Sequence, residues 1–250
     1  FFGAHSFGGD AAYVDRLSQA LCREGHEVHV YFCVDAFNAV RGDHPLRSYE
    51  PTPGLHLHPL KSPRGILSPL ATQATGRPWF KEAALRELLD DPSTDVIHFH
   101  NISLVGGPGI LGLGSNRRAA RIMTAHEHWL ICPMHLLWKY DRKACDGPSC
   151  VKCQLAGKRP PQVWRATSAI EKGLSEIDAL VFPSRHALEE HRSRGFERMA
   201  PLVHLPYFLP SDWSSEVVNE RAPSLSPSAS APSRPYLAAA GRLVRMKGFQ

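Results

Sequence analysis

Short apolar runs rich in β-branched residues alternate along this chain with amphipathic helical stretches. That alternation narrows the fold more than any other feature. Residues 9–25 read as a helix, with Val14, Leu17 and Leu21 at i, i+3 and i+7 and Ala11, Ala20 and Cys22 beside them; Gly25 supplies a stop. Residues 28–34 (VHVYFCV) are β-branched and aromatic and read as a strand. Residues 79–90 (WFKEAALRELLD) give a second helix, with Pro78 near its first turn. Residues 95–100 (DVIHFH), 121–125 (RIMTA), 178–182 (DALVF) and 201–205 (PLVHL) give further strands. Ser184 is placed to cap a helix over 185–194, which Gly195 ends. Strands that alternate with helices need crossover connections, so the expected fold is α/β, a doubly wound parallel sheet. Runs apolar on both faces fit a sheet covered by helices on both sides.

The length of 250 residues suits one large domain or two small ones. The formal net charge of +5 is modest, and Lys and Arg are scattered. This is compatible with a phosphate-bearing ligand or an anionic membrane surface, whereas no nucleic-acid groove is indicated. No apolar run approaches the roughly 18 residues that span a bilayer. Six Cys are too few for a small disulfide scaffold. The first residue is Phe1, so an N-terminal piece is expected to be missing. Residues 221–235 (RAPSLSPSASAPSRP) have the composition of an exposed linker. A new strand is expected over 236–240, followed by a basic loop. The expected organisation is therefore one domain over 1–215 with a Cys-containing insertion at about 130–160, a linker over 216–235, and the start of a truncated second domain over 236–250.

Four segments carry candidate chemistry. Gly8 and Gly9 precede the first helix, where a backbone without side chains and free N–H groups favours an anion or a sugar hydroxyl; a plain turn into a helix would look the same. Asp10 reads as a residue favouring the helix dipole rather than an acid catalyst. His126 lies just past a strand end, where parallel sheets face their ligand crevice, and can donate to a hydroxyl or a phosphate oxygen. His98 and His100 share one face of the preceding strand. Cys132, Cys145, Cys150 and Cys153 form a grouping of the kind that binds zinc tetrahedrally, in which case the metal is structural; a disulfide or plain reduced thiols remain open alternatives. Arg242 and Lys247, in a loop after the strand over 236–240, can together neutralise a diphosphate.

Taken together, these segments resemble the retaining GT-B-fold glycosyltransferases of family 4. GGDAAYVDRLSQALCREGHEV, from Gly8, is like the family's glycine loop, helix and "GHEV" element. DVIHFH is like its "D-[VI]-[IV]-H-x-H" strand, and Thr124-Ala125-His126-Glu127 is like its "T-x-H-D" element with Glu in place of Asp. DALVFPS is like its "D-x-[VI]-[IV]-x-x-S" strand, and Gly241-Arg242-Leu243 with Lys247-Gly248 is like "GRL-x-x-x-KG". The insertion after His128-Trp129 is similar to one in a subset of these enzymes.

The resemblance implies two Rossmann-like domains across a cleft, the first holding the acceptor and the second a nucleotide-diphosphate sugar. It implies that Gly8 and Gly9 line the cleft beside the donor diphosphate. His126 is then expected to contact the transferred sugar, while Arg242 and Lys247 bind the diphosphate. It implies a cytoplasmic hexosyltransferase of carbohydrate biosynthesis that needs no cofactor for catalysis. The acceptor would be a carbohydrate or a lipid-linked molecule, with peripheral contact at the inner membrane surface. The family's downstream Glu-x7-Glu pair lies beyond Gln250, so residues 1–250 alone are expected to have little activity. The rival readings are a non-catalytic sugar- or nucleotide-binding module and a GT-B sugar-nucleotide epimerase.

Overall fold

The computed structural model describes residues 1–42, 44–114 and 118–209. The first helix, α1 (Gly9–Arg23), leads into strand β1 (Val28–Cys33), and helix α2 (Val34–Val40) follows directly. Strand β2 (Leu55–Leu60) and helix α3 (Leu67–Thr75) come next. A 3-10 turn over Trp79–Lys81 precedes helix α4 (Glu82–Leu89) and strand β3 (Val96–His100). Strand β4 (Ala120–Thr124) opens the second half. The insertion contributes a small hairpin, β5 (Trp138–Lys139) and β6 (Lys143–Ala144), and helix α5 (Cys150–Ala156). Helix α6 (Ala169–Leu174), strand β7 (Ala179–Phe182), helix α7 (Arg185–Arg192) and strand β8 (Leu202–His204) complete the described chain.

Strands β3, β4, β7 and β8 lie side by side in that order, all parallel. Strands β1 and β2 form a separate parallel pair, from Val28 opposite Leu55 to Cys33 opposite Leu60. The expected parallel α/β sheet is therefore present, in two hydrogen-bonded parts. Phe99 of β3, Met123 of β4, and Leu180 and Phe182 of β7 project into the main core with Leu111, Leu174 and Leu188. Leu174 and Leu180 are fully buried, so truncating either to Ala costs about 2–5 kcal/mol. A smaller cluster of Phe2, Phe32, Val34 and Leu55 lies under α1 and the β1–β2 pair.

Local chemistry sets where elements begin and pair. The Cys33 thiol accepts the Ala36 N–H at 3.3 Å, so the expected strand over 28–34 stops at Cys33 and Val34 starts a helix. The Ser184 hydroxyl accepts the Ala187 N–H at 3.1 Å, the cap expected for α7, and Gly195 takes a left-handed conformation beyond its end. Asp178 clamps β7 to β4: its carboxylate accepts the Arg121 N–H at 2.7 Å, and its own N–H donates to the Arg121 carbonyl at 2.7 Å. The helix expected over 79–90 starts as the 3-10 turn and becomes α-helical at Glu82, with α4 ending at Leu89.

The helix expected over 9–25 is present as α1, and two features go beyond the sequence reading. On α1 the buried residues are Ala11, Tyr13 and Ser18, while Leu21 is exposed, because the helix is covered on one side by the small β1–β2 pair. Strand β2 was not expected from LHLHPL, whose alternating His and internal Pro suit only a strand bonded on one side, as it is here. A buried ion pair ties these parts together: Lys81 Nζ lies 3.0 Å from Asp35 Oδ2 and also donates to the Ser68 hydroxyl, while the Ser62 N–H donates to Asp35 at 2.8 Å. The expected linker over 216–235, the strand over 236–240, and Arg242 and Lys247 lie outside the described residues.

Candidate functional site

The site is assembled where the amino end of α1 meets the carboxyl ends of β3 and β4. Gly8 stands at φ 92° and ψ 166°, a backbone region essentially closed to residues with a side chain. No side chain caps α1, so its first N–H groups are turned outward as donors. A Cβ built on Gly8 would lie 2.7 Å from Asp10 Oδ1, whereas one on Gly9 would meet nothing within 4 Å. Gly8 thus serves the turn, and Gly9 faces open space. The Asp10 carboxylate in the first turn accepts a hydrogen bond from the Asn101 side-chain amide. Asn101 directly follows β3 in the left-handed region, φ 45°, which Asn tolerates better than most residues.

From Asn101 the contacts continue through histidines. His100, the last residue of β3, shares a 2.9 Å hydrogen bond between its Nδ1 and Nε2 of His126. The other nitrogen of His126, Nδ1, lies 2.6 Å from the Tyr207 hydroxyl. His98 Nε2 shares a 2.8 Å bond with the Thr124 hydroxyl, which closes the register between β3 and β4. Tyr13 of α1 packs against this group, edge-on to His126 and tilted against Tyr207, with ring centroids at 5.5 and 4.5 Å. Asn101, Ser103, Thr124, His126, Glu127 and Trp129 line a shallow recess beside it.

Burial dominates the electrostatics. It holds the imidazoles of His100 and His126 below their ordinary range, His100 far below, and brings His98 to about 4 with help from the neighbouring His126. At neutral pH the three rings are uncharged. Each then has one N–H and one acceptor nitrogen, so one ring of the His100–His126 pair donates and the other accepts. Burial also pushes the Tyr207 phenol up to about 12, with Asp10 and Tyr13 adding to the effect. The arrangement can position a neutral ligand by hydrogen bonding and offer outward N–H groups to an anion. It is not a cationic site.

Of the residues singled out in the sequence, Gly8, Gly9 and His126 come to one edge, linked through Asp10, Asn101 and His100. Asn101, Tyr13 and Tyr207 were not foreseen. The signal for Asn101 was its place directly after a histidine at a strand end. Tyr207 had none, since its partner lies 81 residues away. Glu127, the departure from "T-x-H-D", points elsewhere: its carboxylate holds the His135 ring, while the His135 carbonyl accepts the His128 N–H at 3.0 Å. Glu127 therefore anchors the insertion. The four cysteines of that insertion line a second recess, away from His126.

A parallel sheet flanked by helices, with a glycine turn, an uncapped helix and strand-end histidines at one edge, places the chain in the Rossmann-like α/β class. A family model described as glycosyl transferase 4-like domain matches residues 8–207. The chain belongs to this family, and its parallel sheet flanked by helices is the Rossmann-like N-terminal domain of a GT-B glycosyltransferase of family 4 type. Such a transferase acts on a sugar donor and an acceptor. No curated protein matches the chain. Among the described residues, no helix is long and apolar enough to cross a membrane.

Proposed function

We propose that this chain is the acceptor-side part of a retaining glycosyltransferase that moves a sugar from a nucleotide-diphosphate donor to a carbohydrate or lipid-linked acceptor. The observation that carries this reading is the meeting of Gly9, open on its outer side, with His126 at one carboxyl edge. The outward N–H groups of α1 receive a donor phosphate, and His126, neutral and largely buried, hydrogen-bonds the transferred sugar through Nδ1 once the Tyr207 hydroxyl that holds it has moved away. Arg242 and Lys247 supply positive charge to the diphosphate as it leaves. Charge builds on that phosphate as the glycosidic bond breaks, and fixed donors stabilise it without a metal. The phosphate in turn assists removal of the acceptor proton.

The test is an assay of the protein expressed from its whole reading frame against a panel of nucleotide-diphosphate sugars. Turnover with one donor is expected, giving a product that keeps the donor's anomeric configuration by NMR. His126→Ala should lower kcat/KM by about 100-fold with its thermal stability monitored alongside. Inverted product removes retention from the reading. Full activity in His126→Ala removes this site.

We infer a lipid-linked acceptor at the inner face of the cytoplasmic membrane, a reading supported by a surface of α3 and the turn before α4. Ile66, Leu67, Leu70, Trp79 and Phe80 are exposed there, Trp79 by 59%. The stretch 61–81 also carries Lys61, Arg64 and Arg77 on its surface and contains no Asp or Glu. Apolar side chains rimmed by positive charge fit an anionic lipid surface. Co-sedimentation with phosphatidylglycerol vesicles, weaker for phosphatidylcholine and lost in Leu67→Ser/Trp79→Ser, is the expected result. Equal recovery with both lipids, or none, overturns it.

A further inference from the structure

The insertion is short of the means to hold itself. Its hairpin has two residues per strand, and Leu136, Val151 and Leu155 are exposed. Among the described residues six non-glycine positions adopt positive φ, and five of them lie here: His135, Leu137, Tyr140, Asp141 and Lys158. Each such conformation is unfavourable and persists only where surrounding structure enforces it. Small units without a sufficient core are held by disulfides or by a structural metal.

The folding of the insertion brings its cysteines round one recess, walled by Met134 and Trp138. Cys132 arrives on the turn after Trp129, its N–H donating to the His128 carbonyl at 2.7 Å. Cys145 follows β6 directly and is set by its N–H to the Leu137 carbonyl at 2.8 Å. Cys150 and Cys153 stand one turn apart on α5. All four are free thiols. Among the described residues no three metal-binding side chains are drawn together at ligand spacing, so closing the set requires the thiols to rotate inward. Cys145 and Cys150 are exposed enough to do so.

A second, independent observation comes from Arg165. Its guanidinium is held between the rings of Trp129 and Trp164, 5.0 and 4.9 Å from their centroids. Its hydrogen bonds go to the carbonyls of Trp129 and Leu130 and to the Gln162 side chain, all neutral oxygens. A half-buried cation held only by neutral oxygens is favoured by negative charge nearby. The groups whose charge would offset its burial are Cys132 and Cys150, once ionised. A zinc ion held by four thiolates would carry a net charge of −2, which Arg165, within electrostatic reach of Cys132 and Cys150, would partly offset.

We propose that Cys132, Cys145, Cys150 and Cys153 bind one zinc ion as a closed structural set that fixes the insertion against the sheet. Four sulfur ligands leave no position for substrate, so the ion takes no part in transfer. Binding exchanges the thiol protons for the metal, and the protons pass to solvent.

The experiment is elemental analysis of the purified whole protein, followed by chelation and titration of the reduced apoprotein with Co²⁺. About one zinc per chain is expected. So are the thiolate-to-cobalt charge-transfer bands and strong visible absorption of tetrahedral cobalt, both lost in Cys150→Ser/Cys153→Ser. Cys22→Ser/Cys33→Ser, outside the insertion, should retain the metal. The cobalt spectrum of the native chain keeps the test decisive if the double variant fails to fold. Absence of zinc together with cobalt spectra lacking charge-transfer bands would overturn the proposal. So would a Cys150–Cys153 disulfide found by mass spectrometry in protein that is folded and metal-free.

Discussion

Gly8 and Gly9 are adjacent but answer to different demands. A methyl group on Gly8 is forced into an unfavourable φ of 92° and against the Asp10 carboxylate at 2.7 Å. Gly8→Ala is therefore expected to destabilise the domain by about 1–3 kcal/mol and to loosen the Asp10–Asn101 bond. A methyl on Gly9 meets no protein atom within 4 Å, so Gly9→Ala should change stability by no more than about 0.5 kcal/mol. Its methyl enters the space assigned to the donor phosphates, and its KM for the donor should rise. Denaturation curves and donor kinetics on the two variants separate the roles, and unchanged kinetics in Gly9→Ala would remove the donor from this position. At this scale the glycine pair and His126 were legible, because each sits at a boundary that a local pattern announces. Asn101 and Tyr207 were not. Their bonds to Asp10 and His126 join segments 91 and 81 residues apart, and no local pattern encodes such a meeting.

Between elements, the buried pair of Lys81 and Asp35 fastens α2 to the turn ahead of α4. Both side chains are almost wholly enclosed, and Ser62 and Ser68 complete their hydrogen bonding. Removing one partner leaves an uncompensated buried charge, so Lys81→Met should cost about 3–5 kcal/mol in urea denaturation. Lys81→Met/Asp35→Leu should recover much of that loss, since neither charge then remains. A single variant as stable as the parent would show that the pair is not buried in solution. The strands β3, β4, β7 and β8 were readable, because each is a short run rich in Val, Ile, Leu or Phe between loop and helix signals, a pattern that survives even at β8, where Val203 is exposed. The shorter elements β2, α2, α3, α5 and α6 were hidden. Strand β2 carries histidines and a proline, and α2 begins within a run that reads as strand. Those choices are settled by packing and by one thiol cap rather than by propensity.

For the molecule as a whole, the histidines set a pH limit. Burial, the largest cause in each case, lowers the imidazoles of His98, His100, His126, His128 and His191, with His98 and His191 at about 4. In the unfolded chain the same rings protonate near pH 6.5. Between those values the unfolded state binds more protons than the folded one, so stability falls as pH falls. Each unit of separation corresponds to about 1.4 kcal/mol per fully shifted ring. Urea midpoints should therefore drop steadily from pH 7 to pH 4.5 and stay level from pH 7 to pH 8. A flat profile across the acid range would contradict the burial of this group. Tyr207 adds a different consequence. It belongs to the stretch by which the backbone departs from β8, and its phenol occupies the Nδ1 side of His126. Displacing that stretch uncovers the imidazole, while keeping it seated shields the ring. The availability of this nitrogen is thus governed by the route the polypeptide takes as it leaves the sheet.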